Sequence, residues 1–286
     1  MKRLVLENVG ADLVFTIRES PIPSISSTDV LVKVGACGFC HHDFSIMEGV
    51  IRRGVRLPLT LGHEVAGEVT QVGSAVTDFR PGDPVVCLPR NPCGLCHMCA
   101  KGQQSRCIVG KGLGHGIDGG MAEYVVVKDG SLVKLTSQIP WYQACLLACP
   151  IGVALKAINK AKIRSGDTVV VTGAGGGLGT HLVQLATHYG GRVIAVTSSD
   201  NKVDILRSLG ASDVITTSGL DFSEIVLALT QDIGAEVVLD TVGSPLFQST
   251  LQALAPAGRL VSLGDVGVAK RSFRLTDIIF RDAALI

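Results

Sequence analysis

The chain has 286 residues, 47% of them hydrophobic, and a formal net charge of +1, which suits one or two globular domains with substantial cores. So even a charge balance offers no broad basic face for nucleic acid and no polybasic patch for a membrane, so the expected partners are small molecules or further copies of the chain. The opening MKRLVLENVG regains charge before a signal-peptide core accumulates, and no uninterrupted apolar run reaches the length of a membrane span, which points to a cytoplasmic protein.

Residues 5–86 carry short β-type runs at 12–18, 30–36, 65–72 and 84–88, broken by Pro, Gly and Ser. This pattern predicts a partly open β-barrel with little helix. Within it, the stretch LGHEVAGEVTQVGSAV at 61–76 sets His63 and Glu64 together at one end of a strand. A metal or an acid/base pair requires such a juxtaposition, and a buried histidine satisfied by its neighbour is the plain alternative.

The segment 92–107 changes character, with Cys93, Cys96, Cys99 and Cys107 spaced C-x2-C-x2-C-x7-C and no apolar face between them. Nine cysteines is an odd count in a long chain, and four in so tight an array favour metal over disulfides. A segment that cannot bury a core of its own gains order from a closed tetrahedral thiolate zinc site, which stabilises and does no chemistry. Residues 119–134 predict two strands joined by a hairpin turn at Asp129 and Gly130. His97 and His115 are expected as exposed loop residues, and helix is expected from Pro140 onward.

Beyond residue 165 strands and helices alternate. Strands are predicted at 168–172, 192–197, 213–216, 236–240 and 259–263, with helices up to 189, at 202–209, up to 229 and at 245–254. Continuous Val/Ile runs alternating with amphipathic helices make a doubly wound parallel sheet. The turn after the first strand reads TGAGGGLG, in which Gly173, Gly176 and Gly179 recur at three-residue steps and Gly177 and Leu178 complete the loop. That register is one residue longer than G-x-G-x-x-G, yet a glycine-rich turn between strand and helix still lets backbone N–H groups approach a pyrophosphate.

At the end of the second strand stand Thr197, Ser198, Ser199 and then Lys202. Small hydroxyls with a cation accommodate a ribose 2′-phosphate, so NADP(H) is favoured; Asp200, one step away, keeps NAD(H) possible. Val242 and Gly243 in DTVG, and Leu263 and Gly264 in SLGD, fall at carboxyl ends of strands, where they either line a dinucleotide path or make ordinary turns.

Gly62, His63, Glu64, Gly67, Gly73 and Val76 together form a pattern that resembles the zinc-containing alcohol dehydrogenases of the medium-chain dehydrogenase/reductase superfamily, and the resemblance runs from about residue 30 to the last residue. It implies an α/β protein with a β-rich GroES-like catalytic domain at 1–150, holding a structural zinc lobe at 92–108, and a doubly wound parallel (Rossmann) domain at 151–286. It also implies two zinc ions per chain. Cys40, His63 and Cys149 would hold the catalytic one, with Glu64 as an alternative or outer ligand, and Cys93, Cys96, Cys99 and Cys107 the structural one. Cys149 is preferred to Cys145, which reads as a small buried apolar residue.

Asp43 either orients His63 or caps a helix. His42 stands where the family has Ser or Thr passing the substrate's proton outward, and His41 either faces the cofactor pyrophosphate or lies idle on the surface. The implied reaction is hydride transfer between NAD(P)(H) and an alcohol, aldehyde or ketone. One alternative is an NADPH-dependent reductase of enoyl-CoA or acryloyl-CoA type, which the stretches TGAGGGLG, TSSDNK and DTVGSPLFQSTLQAL resemble. Another is a non-catalytic or fragmentary member. The family continues for tens of residues past the point where this chain stops, which leads to the expectation of a C-terminally truncated form in which the family's dimer or tetramer is doubtful.

Overall fold

Strands whose two faces enter different packing clusters build both halves of the chain. The computed structural model describes residues 1–136, 138–217, 221–267, 270 and 272–286, and divides into two units, Met1–Cys149 and Pro150–Ile286.

In the first unit the strands are β1 Lys2–Asn8, β2 Val14–Glu19, β3 Asp29–Gly38, β4 Glu64–Val72, β5 Pro84–Cys87, β6 Arg90–Asn91, β7 Lys111–Gly112, β8 Tyr124–Lys128 and β9 Leu132–Lys134. Five of them form an antiparallel sheet in the order β8-β3-β4-β5-β9, while β1 pairs with β2 and β6 with β7. Val30, Val32, Val65, Val69, Val85, Cys87, Val125 and Val127 share one buried cluster. Ala66 and Val86, one step out of phase, pack instead with Ala144 and Cys145. Period-two burial of this kind is what a curled sheet with a filled interior requires.

Two expectations change here. The strands flanking Asp129 and Gly130 do not form a hairpin, because β8 pairs with β3 and β9 with β5 at opposite edges of the sheet. A two-residue hairpin turn needs positive φ at its centre. Asp129–Ser131 is instead a 3-10 turn in which Gly130 N–H donates to Asp129 Oδ1 at 2.7 Å, and neither residue has positive φ. This short link draws the two sheet edges together, so the misread turn is what nearly closes the barrel. The second change is a helix, α1 His41–Met47, inside the segment expected to be almost free of helix.

Two further short helices belong to this unit, α2 His97–Ala100 and α3 Trp141–Ala144, the latter running through the 3-10 turn Cys145–Leu147 toward Cys149. The stretch Trp141–Ala161 is long and apolar enough to cross a membrane by length and composition. It is broken by that 3-10 turn and carries Lys156 and Lys160.

The second unit contains α4 Pro150–Ala161, β10 Thr168–Val171, α5 Gly177–His188, β11 Arg192–Thr197, α6 Val203–Ser208, β12 Asp213–Thr216, α7 Ser223–Leu229, β13 Ala235–Asp240, α8 Phe247–Gln252, β14 Leu254–Ser262, α9 Thr276–Ile279 and β15 Ala284–Leu285. Its six strands are all parallel in the order β12-β11-β10-β13-β14-β15, the doubly wound Rossmann order. Val169 and Val171 enter one core with Ala154 and Leu182, and Val170 enters the other with Ile194 and Phe222. Each such side chain contributes about 1.5–3 kcal/mol on burial, so covering both faces is the main stabilising term of this unit. The strand β14 starts five residues before the expected 259 because α8 ends at Gln252.

Candidate active site: a mixed Cys, His and Glu cluster beside a histidine pair

Three chain segments converge in the first unit. Cys40 is the N-cap of α1, His63 and Glu64 open β4, and Cys149 follows the 3-10 turn after α3. The ligating atoms of all four lie within 4.8 Å of one another, and the Cys40 and Cys149 sulfurs are 3.9 Å apart. A tetrahedral zinc with Zn–S bonds of about 2.3 Å has sulfurs about 3.8 Å apart, so the donor set and its spacing fit that ion. Glu64 lies against the backbone at Gly38, where a side chain would collide with its carboxylate. That close approach is why the strand opposite β4 carries glycine there.

The charges answer one another. The bond to Cys149 draws the Cys40 pKa down to about 4, with His63 assisting, and Cys149 is pushed up in return. Burial works against charge on His63, but the Asp43 carboxylate and Cys40 outweigh it and hold its pKa at about 10. Burial, and then the Cys40 sulfur, raises Glu64 to about 7. Four donors in so small a space share protons where a divalent cation would otherwise balance their charge.

Asp43 caps the helix and also faces His63. Cys40 N–H donates to its Oδ2 at 3.0 Å, closing the capping box of α1, and its Oδ1 lies 3.4 Å from His63 Nδ1. The second contact is close enough for an ion pair but is not aligned as a hydrogen bond, since His63 Nδ1 has no hydrogen-bond partner among the described residues. Asp43 is fully buried, and Gly62 N–H also points at Oδ1, at 3.4 Å.

His42 is half-buried, its ring edge-on to His63 with centroids 5.3 Å apart. Its Nε2 lies 3.0 Å from His115 Nδ1, and His115 Nε2 lies 2.8 Å from the Arg53 carbonyl. A carbonyl only accepts, so His115 Nε2 carries the proton, its Nδ1 accepts, and His42 Nε2–H donates. Burial, helped by the nearby His63, lowers the His42 pKa. His115 is thus half-buried and partnered, which corrects its reading as an exposed loop residue. Its partners lie 73 and 62 residues away in sequence, so no local signal marks it. His41 is exposed, and its ring lies 6.0 Å from that of Phe44. His97 is exposed on α2, and Cys145 packs in the apolar cluster.

Four further cysteines, Cys93, Cys96, Cys99 and Cys107, form a second cluster. Sulfur separations are 3.6 Å for Cys96 to Cys99, 3.7 Å for Cys96 to Cys107 and 3.5 Å for Cys107 to Cys93. Backbone N–H groups of Cys93 and Cys96 each donate to a sulfur at 3.3 Å, which favours thiolate. The two-residue ribbon β6·β7 ties the neck of the lobe, and the Arg90 guanidinium donates to the Cys107 carbonyl. Leu95, Ile108 and Val109 are exposed, so the lobe has no apolar core to order it.

In the second unit the expected cofactor residues gather at the carboxyl ends of β10, β11, β13 and β14. Gly173 has φ +58 and Gly243 φ +79, and a Cβ on Gly179 would meet Ala174 Cα at 2.6 Å. Gly179 therefore permits the close strand-to-helix approach, with Gly176 as N-cap, Gly177 opening α5 and Leu178 packed on the core behind. Thr197 is buried and accepts from Ser199 N–H at 3.3 Å. Ser198 and Lys202 are exposed, and the Lys202 stem passes over Gly175. Val242 packs beside Gly173, while Leu263 N–H donates to Asp240 O at 2.8 Å and Gly264 abuts Gly243.

The residue that organises this rim was not singled out from sequence. Asp240 Oδ1 accepts from Thr172 Oγ1 at 2.6 Å, Val242 N–H at 3.0 Å and Gly243 N–H at 3.1 Å, tying the ends of β10 and β13 together.

Known proteins show the same two parts. Residues 26–137 match the alcohol dehydrogenase GroES-like domain and residues 177–286 match the zinc-binding dehydrogenase domain. The acryloyl-coenzyme A reductase of Metallosphaera sedula is 36% identical over the whole chain and 83% of its own length. The NAD-dependent alcohol dehydrogenase of Sulfolobus acidocaldarius is 35% identical over 93% of the chain and 78% of its own. The crystal structure of AibC superposes with a TM-score of 0.90 and 37% identity, over all of this chain and 80% of that one. The chain belongs to the zinc-type alcohol dehydrogenase family of the medium-chain dehydrogenase/reductase superfamily, and it is an oxidoreductase.

Proposed function

We propose that the protein is a zinc-dependent oxidoreductase that passes a hydride between NADP(H) and an alcohol, aldehyde or ketone. The observation that carries this reading is the convergence of Cys40, His63, Glu64 and Cys149, whose four ligating atoms lie within 4.8 Å. Zinc held by Cys40, His63 and Cys149 supplies a Lewis acid that polarises a carbonyl or makes an alcohol more acidic. Asp43 fixes the His63 ring from behind and the start of α1 from below, so two of the donors share one anchor. His42, its Nε2–H committed to His115, offers Nδ1 as its acceptor and receives or returns the substrate's proton there. The lobe of Cys93, Cys96, Cys99 and Cys107 holds a second zinc that serves stability.

NADP(H) is favoured over NAD(H) by Ser198, Ser199 and the exposed Lys202 beside the glycine loop, with Gly173, Gly176, Gly177, Gly179, Val242, Gly243 and Gly264 as further contacts. The partners we infer are a small-molecule substrate and further copies of the chain, in the cytoplasm, in keeping with nine free cysteines among the described residues.

A second reading, reduction of the activated double bond of an acyl-coenzyme A, is favoured by the likeness to the Metallosphaera acryloyl-coenzyme A reductase. Assays with NADPH and NADH against aldehydes and against acryloyl-CoA, with and without chelator treatment, separate the two. Aldehyde turnover lost with the metal supports the first reading, and acryloyl-CoA turnover alone replaces it with the second.

A further inference from the structure

The charges of the chain nearly balance, 26 Lys and Arg against 25 Asp and Glu, yet residues 50–58 (VIRRGVRLP) hold three arginines and no acid. Arg52, Arg53 and Arg56 are exposed, and none of them forms an ion pair with a carboxylate among the described residues. Arg52 Nε donates to the Gly49 carbonyl at 2.8 Å, which holds this loop against its own start. A fourth cation joins them. The Gly54 carbonyl and Lys111 Cβ both lie 3.5 Å from the point where a Cβ on Gly116 would stand, so Lys111, exposed and without an ion pair among the described residues, borders the arginine loop.

The loop is also wired to the cluster of cysteine and histidine donors. His115 reaches the Arg53 carbonyl at 2.8 Å with one ring nitrogen and His42 at 3.0 Å with the other, and the His42 ring is 5.3 Å from that of His63. These cations have no carboxylate partner among the described residues, and the loop that carries three of them forms an edge tied through His115 and His42 to the donor cluster. A neutral alcohol gains nothing from such an edge. A phosphate gains charge-assisted, bidentate hydrogen bonds from arginine.

We propose that Arg53, Arg56 and Lys111 form a phosphate-binding rim, so that the substrate is an anionic, phosphate-bearing molecule whose reactive carbon lies at the cluster of Cys40, His63 and Cys149. This rests on the reading of that cluster as the seat of the chemistry. Two sources supply the same phosphate chemistry, the nucleotide end of a coenzyme A thioester and the phosphate of a sugar phosphate, and the test distinguishes them.

The full chain is assayed with NADP(H) on two matched pairs: acryloyl-CoA against the uncharged acryloyl thioester of N-acetylcysteamine, and a hexitol phosphate against its free hexitol. For one pair the expected kcat/KM ratio favours the phosphorylated member by at least about tenfold, and shrinks as salt is raised. The double variant Arg53→Glu, Arg56→Glu collapses that ratio, while Arg53→Lys, Arg56→Lys retains most of it. Equal ratios in the native and charge-reversed chains overturn the proposal while leaving the redox reading intact. Where neither pair is turned over, the redox reading is decided by the aldehyde assay above. The rim is then judged by calorimetric titration with coenzyme A and with hexitol phosphate at saturating NADP+. Binding of one of them that weakens at least about tenfold on charge reversal upholds the rim, and no binding, or binding that does not change, overturns it.

Discussion

The two cysteine clusters of the first unit are built in opposite ways. Cys93, Cys96, Cys99 and Cys107 come from one short loop that nothing apolar holds, closed at its neck by a two-residue ribbon. Cys40, His63, Glu64 and Cys149 come from three separate segments, with Cys40 and Cys149 109 residues apart; Cys40 sits at a helix cap, Glu64 in the sheet register and His63 against a buried carboxylate. On the proposed reading the first arrangement would depend on a metal for order, whereas the second is assembled by the barrel and would be free to lend a coordination position to chemistry.

The comparison is broken most directly by paired substitutions. Cys40→Ser is expected to lower kcat/KM by at least about a thousandfold with circular dichroism and melting temperature nearly unchanged, because it removes a ligand of the reactive centre and leaves the barrel alone. Cys96→Ser is expected to keep much of the activity at low temperature and to lower the melting point by about 5–10 °C. Equal loss of folding in both would mean the two clusters do not differ in kind.

Asp43→Asn sharpens the contrast at smaller scale. It keeps the shape but removes the charge facing His63, and a loss of about 10–100-fold in metal affinity or activity is expected, from the usual weight of such supporting groups. An unchanged metal affinity, read by competition with a chromophoric chelator, would assign Asp43 to helix capping alone. The smallest effect lies in the second unit, where Lys202→Ala is expected to cut the NADPH over NADH preference in kcat/KM by about tenfold or less. A preference that does not move would shift the choice of cofactor to other residues.

Legibility followed the same division. The four-thiol lobe was plain from spacing because all its parts are local. The doubly wound sheet was plain because continuous runs such as Val169, Val170 and Val171 bury both faces and leave no alternation to misread. Cys40 and Cys149 were placed with His63 by resemblance, since nothing within either segment indicates a partner so far along the chain. α1 escaped notice because HHDFSIM is only seven residues long and buries just Asp43 and Ile46, too few positions for a helical period to register. The Asp129–Gly130 pair carried a real turn signal, but the choice between a hairpin and a link across a nearly closed barrel lies in the pairing of β3 and β5. His115 and Asp240 act through atoms that only the tertiary fold supplies: a backbone carbonyl for one, the amides of a neighbouring turn and Thr172 for the other.

The most direct test of two differently built metal sites is the zinc content of the chain, prepared without chelator and followed by elemental analysis during challenge with a chelator. Two zinc ions per chain are predicted, with one lost quickly along with activity and the other retained until the protein unfolds. A single zinc, or two that leave together at one rate, would contradict the account.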